Sequence, residues 1–98
     1  MENAKVEDNQ LTIRKTIVIN QLGMHARPAS KIAQIAGNAQ SEVWLCADDS
    51  KVDATSIIDI LTLGAVKGTR VAIEIADETD IGILGQIFEF FEDGFGEE

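Results

Sequence analysis

The chain has 98 residues, of which 45 % are apolar and 26 % are charged. This length and composition predict one globular domain and argue against intrinsic disorder, despite a net charge of −9. A single cysteine and a single histidine exclude an intrachain disulfide and a Cys/His zinc site. We therefore expect neither a bound metal nor another cofactor.

The distribution of charge and hydropathy narrows the choice of partners. No apolar run approaches the roughly 18 residues of a membrane span, so we expect no membrane insertion. Residues 1–10 lack the apolar segment of a signal peptide, and the expected location is cytoplasmic. Acidic residues outnumber basic ones by 17 to 8, which disfavours nucleic-acid binding. Residues 71–98 hold nine acidic residues and no basic one, so an acidic ligand or partner would bind the more basic N-terminal third.

The first predicted element is a strand that follows a leader. Residues 1–10 are polar and aperiodic, and they predict a loose leader. From Leu11 to Ile19 the residues alternate as in a strand with one buried face. The face expected to be buried contains Leu11, Ile13, Ile17 and Ile19, and Lys15 is its only polar member. A turn over residues 20–23 ends this strand.

A helix, two strands and a short helix come next. Alanine and isoleucine spacing predicts a helix over residues 26–36, with Pro28 near its start and Gly37 after its end. Short strands are predicted over residues 42–47 and 51–54. A two-turn helix then follows Ser56, because Ser56 and Asp59 have the spacing of a capping box.

The last third predicts a strand and a longer helix. Residues 69–76 alternate again, with Val71, Ile73 and Ile75 facing inward. The polar loop that follows offers Thr79 and Asp80 as helix caps. The helix over residues 81–92 has an apolar stripe of Leu84, Ile87, Phe88, Phe91 and Phe95. The acidic tail, residues 93–98, is expected to fray.

The order of elements is β-α-β-β-α-β-α. Strands with a single apolar face need helices on that face only. The sequence therefore predicts a two-layer α+β fold, in which three helices cover one side of a four-stranded, mainly antiparallel sheet.

The segment from Gly23 to Ala29 contains the residues most suited to chemistry. His25 precedes a predicted helix, whose free N–H groups and dipole favour an anion. Arg27 adds a planar guanidinium that can bind phosphate oxygens at two points. Because a neutral imidazole is a nucleophile, this combination suits phosphoryl transfer to the histidine ring. Taken one at a time, these residues are better explained as ordinary features of a helix start.

Residues 20–29, Asn-Gln-Leu-Gly-Met-His-Ala-Arg-Pro-Ala, resemble the active-site segment of HPr. HPr is the histidine-containing phosphocarrier of the bacterial phosphoenolpyruvate:sugar phosphotransferase system. The family usually has leucine where this chain has Met24. Residues 51–58 and 61–65 are similar to the family's segment around a regulatory serine and to the residues that follow it. The resemblance covers residues 11–92 as an HPr-like phosphocarrier domain, and it implies an open-faced β-sandwich.

The resemblance also implies a role for each matching residue. His25 would accept a phosphoryl group on Nδ1 from enzyme I and pass it to an enzyme IIA domain, in support of sugar uptake. Arg27 would stabilise the phosphoryl group, and the backbone N–H groups of Ala26 and Arg27 would cradle its oxygens. Such a protein is a carrier with a phosphohistidine intermediate and not a stand-alone enzyme.

A second phosphorylation site is implied at Ser56. It corresponds to the serine that an ATP-dependent HPr kinase/phosphorylase modifies in many bacteria. Thr55 departs from the lysine that commonly precedes this serine, and Asp53 and Asp59 make the site more acidic. A helix cap alone would also explain Ser56.

Apolar residues near His25 are expected to dock partner proteins. The short helix has more apolar residues than one face of a two-turn helix can bury, and Met24 adds to them. We expect Met24, Ile57 and Ile60 to contact partners and Ile58 and Leu61 to join the core.

Two other functions remain open from the sequence. One is a regulatory HPr-like module of a nitrogen-type phosphotransferase chain or of carbon-catabolite control, without a role in sugar uptake. The other is a small acidic interaction domain in which His25 and Arg27 are incidental; the uneven charge distribution is its main support.

Overall fold

The computed structural model describes residues 11–97, so the predicted leader, residues 1–10, lies outside the described residues. The helices and strands follow one another in the predicted order. They are β1 (Ile13–Ile17), α1 (Ala26–Ala36), β2 (Val43–Ala47), β3 (Ser50–Asp53), α2 (Ile57–Thr62), β4 (Arg70–Ile75) and α3 (Ile81–Glu92). Short 3-10 segments, Glu78–Asp80 and Gly94–Gly96, lie on either side of α3.

The strands form one antiparallel sheet in the order β1-β4-β2-β3. Alternate residues of β2 and β4 are buried on one face; they are Val43, Leu45, Ala47, Val71, Ile73 and Ile75. The helices pack on this face, where α3 contacts β1 and β4 and α1 contacts both other helices. The predicted fold, a sheet covered on one side by three helices, is confirmed.

The two later helices begin and pack as their sequences predict. Ser56 caps α2, because its Oγ accepts a hydrogen bond from the backbone N–H of Asp59 at 3.2 Å. In α3 the predicted stripe faces the sheet, with Leu84, Ile87 and Phe91 fully buried. No helix within residues 11–97 has the length and apolar character needed to cross a bilayer.

The predicted buried face of β1 is wrong. Residues directly opposite each other in an antiparallel pair project to the same face of the sheet. Thr16 lies opposite Val71 and therefore faces the helices, whereas Ile17 lies opposite Arg70 on the open face. Val18 is fully buried, and Ile17 is 44 % exposed. The apolar alternation of this edge strand is thus turned away from the core.

Polar residues occupy the helix-facing side of β1 because α3 supplies partners for them. The Thr16 hydroxyl donates to Glu92 Oε2 at 2.8 Å. The Arg14 guanidinium lies 3.8 Å from the ring centroid of Phe88, a cation–π distance. These contacts make a polar edge compatible with the sheet-helix interface.

Asp80 does not cap α3 through its side chain, contrary to prediction. Its carboxylate is buried and accepts from the backbone N–H groups of Gln40 and Ser41 at 2.8 and 2.9 Å. It therefore connects the start of α3 to the loop before β2. Asp77 caps the preceding 3-10 segment instead, accepting from the N–H of Thr79 at 2.9 Å.

The prediction that the acidic tail frays is wrong for residues 93–97. Gly94 and Phe95 are buried, and the Phe95 ring lies 5.1 and 4.9 Å from the rings of Phe90 and Phe91. These centroid distances are typical of favourable aromatic pairs. The chain after α3 is therefore packed onto the domain.

The corrected face of β1 leads to a stability prediction. Val18→Thr places a hydroxyl in the core and should lower the free energy of unfolding by about 2 kcal/mol. Ile17→Thr, its matched control on the open face, should lower it by less than about 1 kcal/mol. Urea unfolding of both variants at one pH measures the difference. A larger loss for Ile17→Thr would contradict the observed register.

Candidate functional site

The loop before α1 is held by a close backbone approach. Gly23 has a positive φ of 71°, and a Cβ added there would lie 2.8 Å from the carbonyl oxygen of Ala65. The N–H of the next residue, Met24, donates to that same oxygen at 2.8 Å. Only glycine accommodates both the positive φ and the contact. The loop therefore leads into α1 from a position set by the segment after α2.

His25 occupies the N-cap position of α1 and makes no side-chain cap bond. Its carbonyl oxygen accepts the N–H of Ala29 at 3.0 Å, which is the first i to i−4 bond of the helix. The N–H groups of Ala26 and Arg27 have no such partner within the helix, and Pro28 has no N–H. Two helix N–H groups therefore remain for a ligand directly after His25.

The His25 ring contacts the end of the chain. Its Nε2 lies 2.7 Å from Oε2 of Glu97, and the side chains of the two residues are 32 % and 19 % exposed. The other carboxylate oxygen, Oε1, accepts from Nδ2 of Asn20 at 2.8 Å. Asn20 is buried and also donates to the carbonyl oxygen of Gly23 at 3.0 Å. Among residues 11–97, no hydrogen bond occupies Nδ1 of the histidine.

These contacts change the acidity of Glu97. The hydrogen bonds from Asn20 and then from His25 lower the pKa of its carboxyl, because both stabilise the ionised form. The nearby charge of Arg27 acts in the same direction. Glu97 is therefore a carboxylate at neutral pH.

A shallow depression of about 260 Å³ adjoins the ring. Its lining residues are Asn20, Gln21, Leu22, His25, Arg27 and Glu97. Arg27 is exposed at the second position of α1, so its side chain and the free helix N–H groups border the same space. The structure thus brings together three of the predicted features: the imidazole, the guanidinium and the helix N-terminus.

The apolar residues predicted to dock partners are only partly placed as expected. Met24 is half-buried beside the core, and Ile57 is exposed. Ile60 is fully buried and cannot contact a partner, which corrects that prediction. Ile58 is 74 % exposed and Leu61 is also exposed, although both were expected in the core. In a helix this short only one side can face inward, and the side of Ile60 does so.

Two residues of the site were not predicted. The sequence indicated Asn20 only as a turn residue, and it indicated Glu97 only as part of a frayed tail. The apolar stripe of α3, extended to Phe95, was the available signal. A large aromatic residue beyond the helix predicts that the chain still packs there, which limits where Glu97 can lie.

Comparison with known proteins identifies the family of this chain. The family model described as PTS HPr component phosphorylation site matches residues 13–93. The phosphocarrier protein NPr of Klebsiella oxytoca is 37 % identical over 90 % of this chain and 100 % of its own length. The phosphocarrier protein HPr of Neisseria meningitidis serogroup A is 35 % identical over 82 % of this chain and 90 % of its own. The chain belongs to the HPr family.

A solved structure of an HPr agrees with this assignment. The crystal structure of HPr-C-His from Thermoanaerobacter tengcongensis has a TM-score of 0.81 and 31 % identity, covering 88 % of this chain and 97 % of that chain. This chain is therefore an HPr-like phosphocarrier of the phosphotransferase system, and its partners are proteins of that system. The family match ends at residue 93, so Glu97 lies beyond it.

The lowered pKa of Glu97 leads to a titration prediction. A lowered pKa means that the contribution of Glu97 to stability is present above its unfolded-state pKa and is lost as the pH falls through the folded-state value. Carbon-13 NMR should show the Glu97 carboxyl titrating below its ordinary value of 4.5 in the folded protein. Asn20→Ala and His25→Ala should each raise that midpoint, because each removes one stabilising hydrogen bond.

The same chain unfolded in urea is the control for this titration. Its Glu97 should titrate at the ordinary value. A folded-state midpoint at or above the ordinary value, unchanged by both substitutions, would show that the carboxylate has no bond to either side chain.

Proposed function

We propose that His25 accepts a phosphoryl group from phosphorylated enzyme I and passes it to an enzyme IIA domain. The chain is the carrier between these two proteins, and its phosphohistidine is the intermediate. The proposal places the reaction in the cytoplasm and, where the enzyme IIA serves a sugar permease, makes sugar uptake its result.

The observation that carries this proposal is the position of His25 at the N-terminus of α1. The free N–H groups of Ala26 and Arg27 follow the ring directly, and the dipole of an 11-residue helix favours an anion there. Arg27 borders the same depression and can bind phosphate oxygens at two points. Nδ1 has no hydrogen-bond partner among residues 11–97, so it is the ring nitrogen available for attack.

Partner docking is proposed at the exposed apolar residues around this site. Leu22 and Ile57 are exposed, and Ile58 replaces the buried Ile60. Met24 contributes as a half-buried residue. Exposed apolar residues near the anion site suit a carrier that binds its donor and its acceptor in turn.

A regulatory role is the second candidate. The relative named NPr matches this chain at an identity close to that of the relative named HPr, which favours a nitrogen-type regulatory chain as much as sugar uptake. In that case the acceptor is an enzyme IIA domain without a sugar permease. Transfer from the phosphorylated protein to enzyme IIA domains of each kind separates these candidates.

The test of the carrier reaction is phosphorylation by enzyme I with phosphoenolpyruvate. Intact mass should show one acid-labile phosphate on the natural chain and none on His25→Ala. Arg27→Ala should slow the reaction by on the order of 10²-fold, because an aligned donor to the phosphoryl oxygens is lost. Lys31→Ala, which removes the same charge one turn along α1, is the matched control and should react at nearly the natural rate.

Two results would contradict the proposal. One is a phosphate adduct that persists in His25→Ala. The other is a natural chain that takes no phosphate from its own enzyme I while its folded spectrum is intact.

Phosphorylation of Ser56 by an HPr kinase/phosphorylase is the further part of this proposal. The Ser56 oxygen is half-buried and already serves as the helix cap. A phosphate at a helix N-terminus is electrostatically tolerated, so modification is compatible with the fold. The hydroxyl of the neighbouring Thr55 already donates to Asp53 Oδ1 at 2.7 Å. Ser56 is thus the better acceptor of the two.

Ser56 substitutions separate capping from modification. Ser56→Ala should lower the free energy of unfolding by about 1 kcal/mol, because the cap is lost, and Ser56→Asp should lower it by much less. The kinase with ATP should phosphorylate the natural chain and Thr55→Ala but not Ser56→Ala. Phosphate found on Thr55, or on neither residue, would leave Ser56 as a cap alone.

A further inference from the structure

The chain folds back on its own phosphorylation site after the end of the family match. We name residues 94–97, Gly-Phe-Gly-Glu, the C-terminal strap. The family model ends at residue 93, yet the last described residue of the strap, Glu97, contacts His25. The strap therefore lies against the site although the family match does not extend to it.

The backbone of the strap has a well-defined conformation. Gly94, Phe95 and Gly96 have positive φ angles of 63°, 61° and 73°, so three consecutive residues are left-handed. This conformation is unfavourable for a phenylalanine, and it persists where surrounding contacts compensate for it. The Phe95 ring is 6 % exposed and packs against Phe90 and Phe91 of α3. Burial of this ring anchors the strap and determines where Glu97 lies.

Both oxygens of Glu97 are engaged. Oε2 meets Nε2 of His25 at 2.7 Å, and Oε1 accepts from Asn20 Nδ2 at 2.8 Å. Asn20 directs its amide nitrogen to Glu97 and to the Gly23 carbonyl, while its buried Oδ1 has no hydrogen-bond partner among residues 11–97. Leaving a buried acceptor unpaired has a free-energy cost. The amide orientation is thus set by its two donor bonds, one of which fixes the carboxylate.

We propose that Glu97 is a positioning residue for phosphoryl transfer, holding the proton of His25 on Nε2 so that Nδ1 presents its lone pair. This inference rests on the carrier function proposed above. A carboxylate only accepts hydrogen bonds, so the bond to Oε2 requires a proton on Nε2. In a neutral imidazole the other nitrogen then carries the lone pair. The same bond fixes the orientation of the ring.

With the proton on Nε2, the bonds, electron pairs and protons of the transfer step all balance. The Nδ1 lone pair forms the bond to phosphorus as the bond between phosphorus and the donor atom of enzyme I breaks, and its electron pair leaves on the donor. No proton leaves His25 in this step. Nε2 keeps its proton, and the ring gains positive charge next to the Glu97 carboxylate. Carboxylates hold the ligating histidines of metal sites in the same way, through the ring nitrogen remote from the reacting centre.

A carboxylate beside the site also repels the incoming phosphoryl group. Glu97 bonds to the ring nitrogen that is not attacked, whereas Arg27 and the free helix N–H groups border the depression next to it. The geometry thus separates the negative group that orients the ring from the groups that would bind phosphate. Removal of the Glu97 carboxylate tests whether orientation or repulsion dominates.

Glu97→Ala is the test variant, and Glu89→Ala is its matched control. Glu89 is an exposed residue of α3, so its substitution removes the same charge without touching the site. Nitrogen-15 spectra of the unphosphorylated protein report the proton position directly, because the chain has one histidine. When the ring is neutral, its two tautomers give different nitrogen-15 shifts.

The natural chain and Glu89→Ala should show protonated Nε2 and unprotonated Nδ1. In Glu97→Ala both nitrogen shifts should move toward the averaged values of a freely exchanging ring. Phosphorylation by enzyme I should slow about tenfold in Glu97→Ala, the magnitude typical of losing a carboxylate that orients a functional histidine. Glu89→Ala should react at the natural rate.

Each other outcome overturns the inference. Unchanged ring shifts in Glu97→Ala would show that the carboxylate does not set the tautomer. An unchanged or faster phosphorylation rate, measured against Glu89→Ala, would show that repulsion outweighs orientation. If the natural chain takes no phosphate from its enzyme I, the proposed carrier function is wrong. The nitrogen-15 spectra still test the role of Glu97 in that case, because they need no enzyme I.

Discussion

The contact between Gly23 and the backbone of Ala65 sets the geometry of the whole site. The loop turns at Gly23 with a positive φ, and the Met24 N–H bonds to the Ala65 carbonyl oxygen. The next residue is His25, at the first turn of α1. Because Ala65 follows α2, the position of the imidazole depends on how α2 packs, and α2 in turn contacts α1 and β3. This backbone contact is one of the ways in which the packing of the helices determines the position of His25.

The proposed anion site needs positive potential in a chain that is negatively charged overall. The net charge is −9, and residues 71–98 contain no basic residue. An anion site in such a protein has to be local. The N-terminus of a helix supplies a positive potential of this local kind, because its effect falls off within about one turn. Arg27 adds a positive side chain at the border of the depression, and the strap brings one acidic residue into contact with the ring itself.

The sequence was sufficient to predict the order of the helices and strands. Where one face of a strand is strongly apolar, as in β2 and β4, alternation identifies the buried side. β1 shows the limit of this rule, because its apolar residues, Ile13 and Ile17, lie on the open face and two of its polar residues face the helices. Its inward Thr16 and Arg14 are stabilised by Glu92 and Phe88 of α3, which lie more than 70 residues away in the chain. A partner at that separation leaves no local pattern.

The same reason explains the errors in α2 and in the tail. Four of the six positions of α2 are apolar, so periodicity could not separate Ile60, which is buried, from Ile58, which is exposed. The position of Glu97 depends on a left-handed phenylalanine between two glycines. Composition alone indicated an acidic, glycine-containing and therefore loose end. The packing of Phe95 under α3 overrides that local tendency.

The strap also connects the hydrophobic core to the His25 side chain. The Phe95 ring belongs to the core, while Glu97 two residues later bonds to His25, the proposed phosphoryl acceptor. A phosphohistidine protonated at Nε2 is a cation with an anionic group attached, and a carboxylate at Nε2 stabilises its positive part. A carrier has to hold its phosphoryl group long enough to meet the acceptor without binding it so tightly that transfer stops. An acidic residue on a short strap suits this requirement, since it stabilises the ring without adding a bond to the phosphoryl group that leaves.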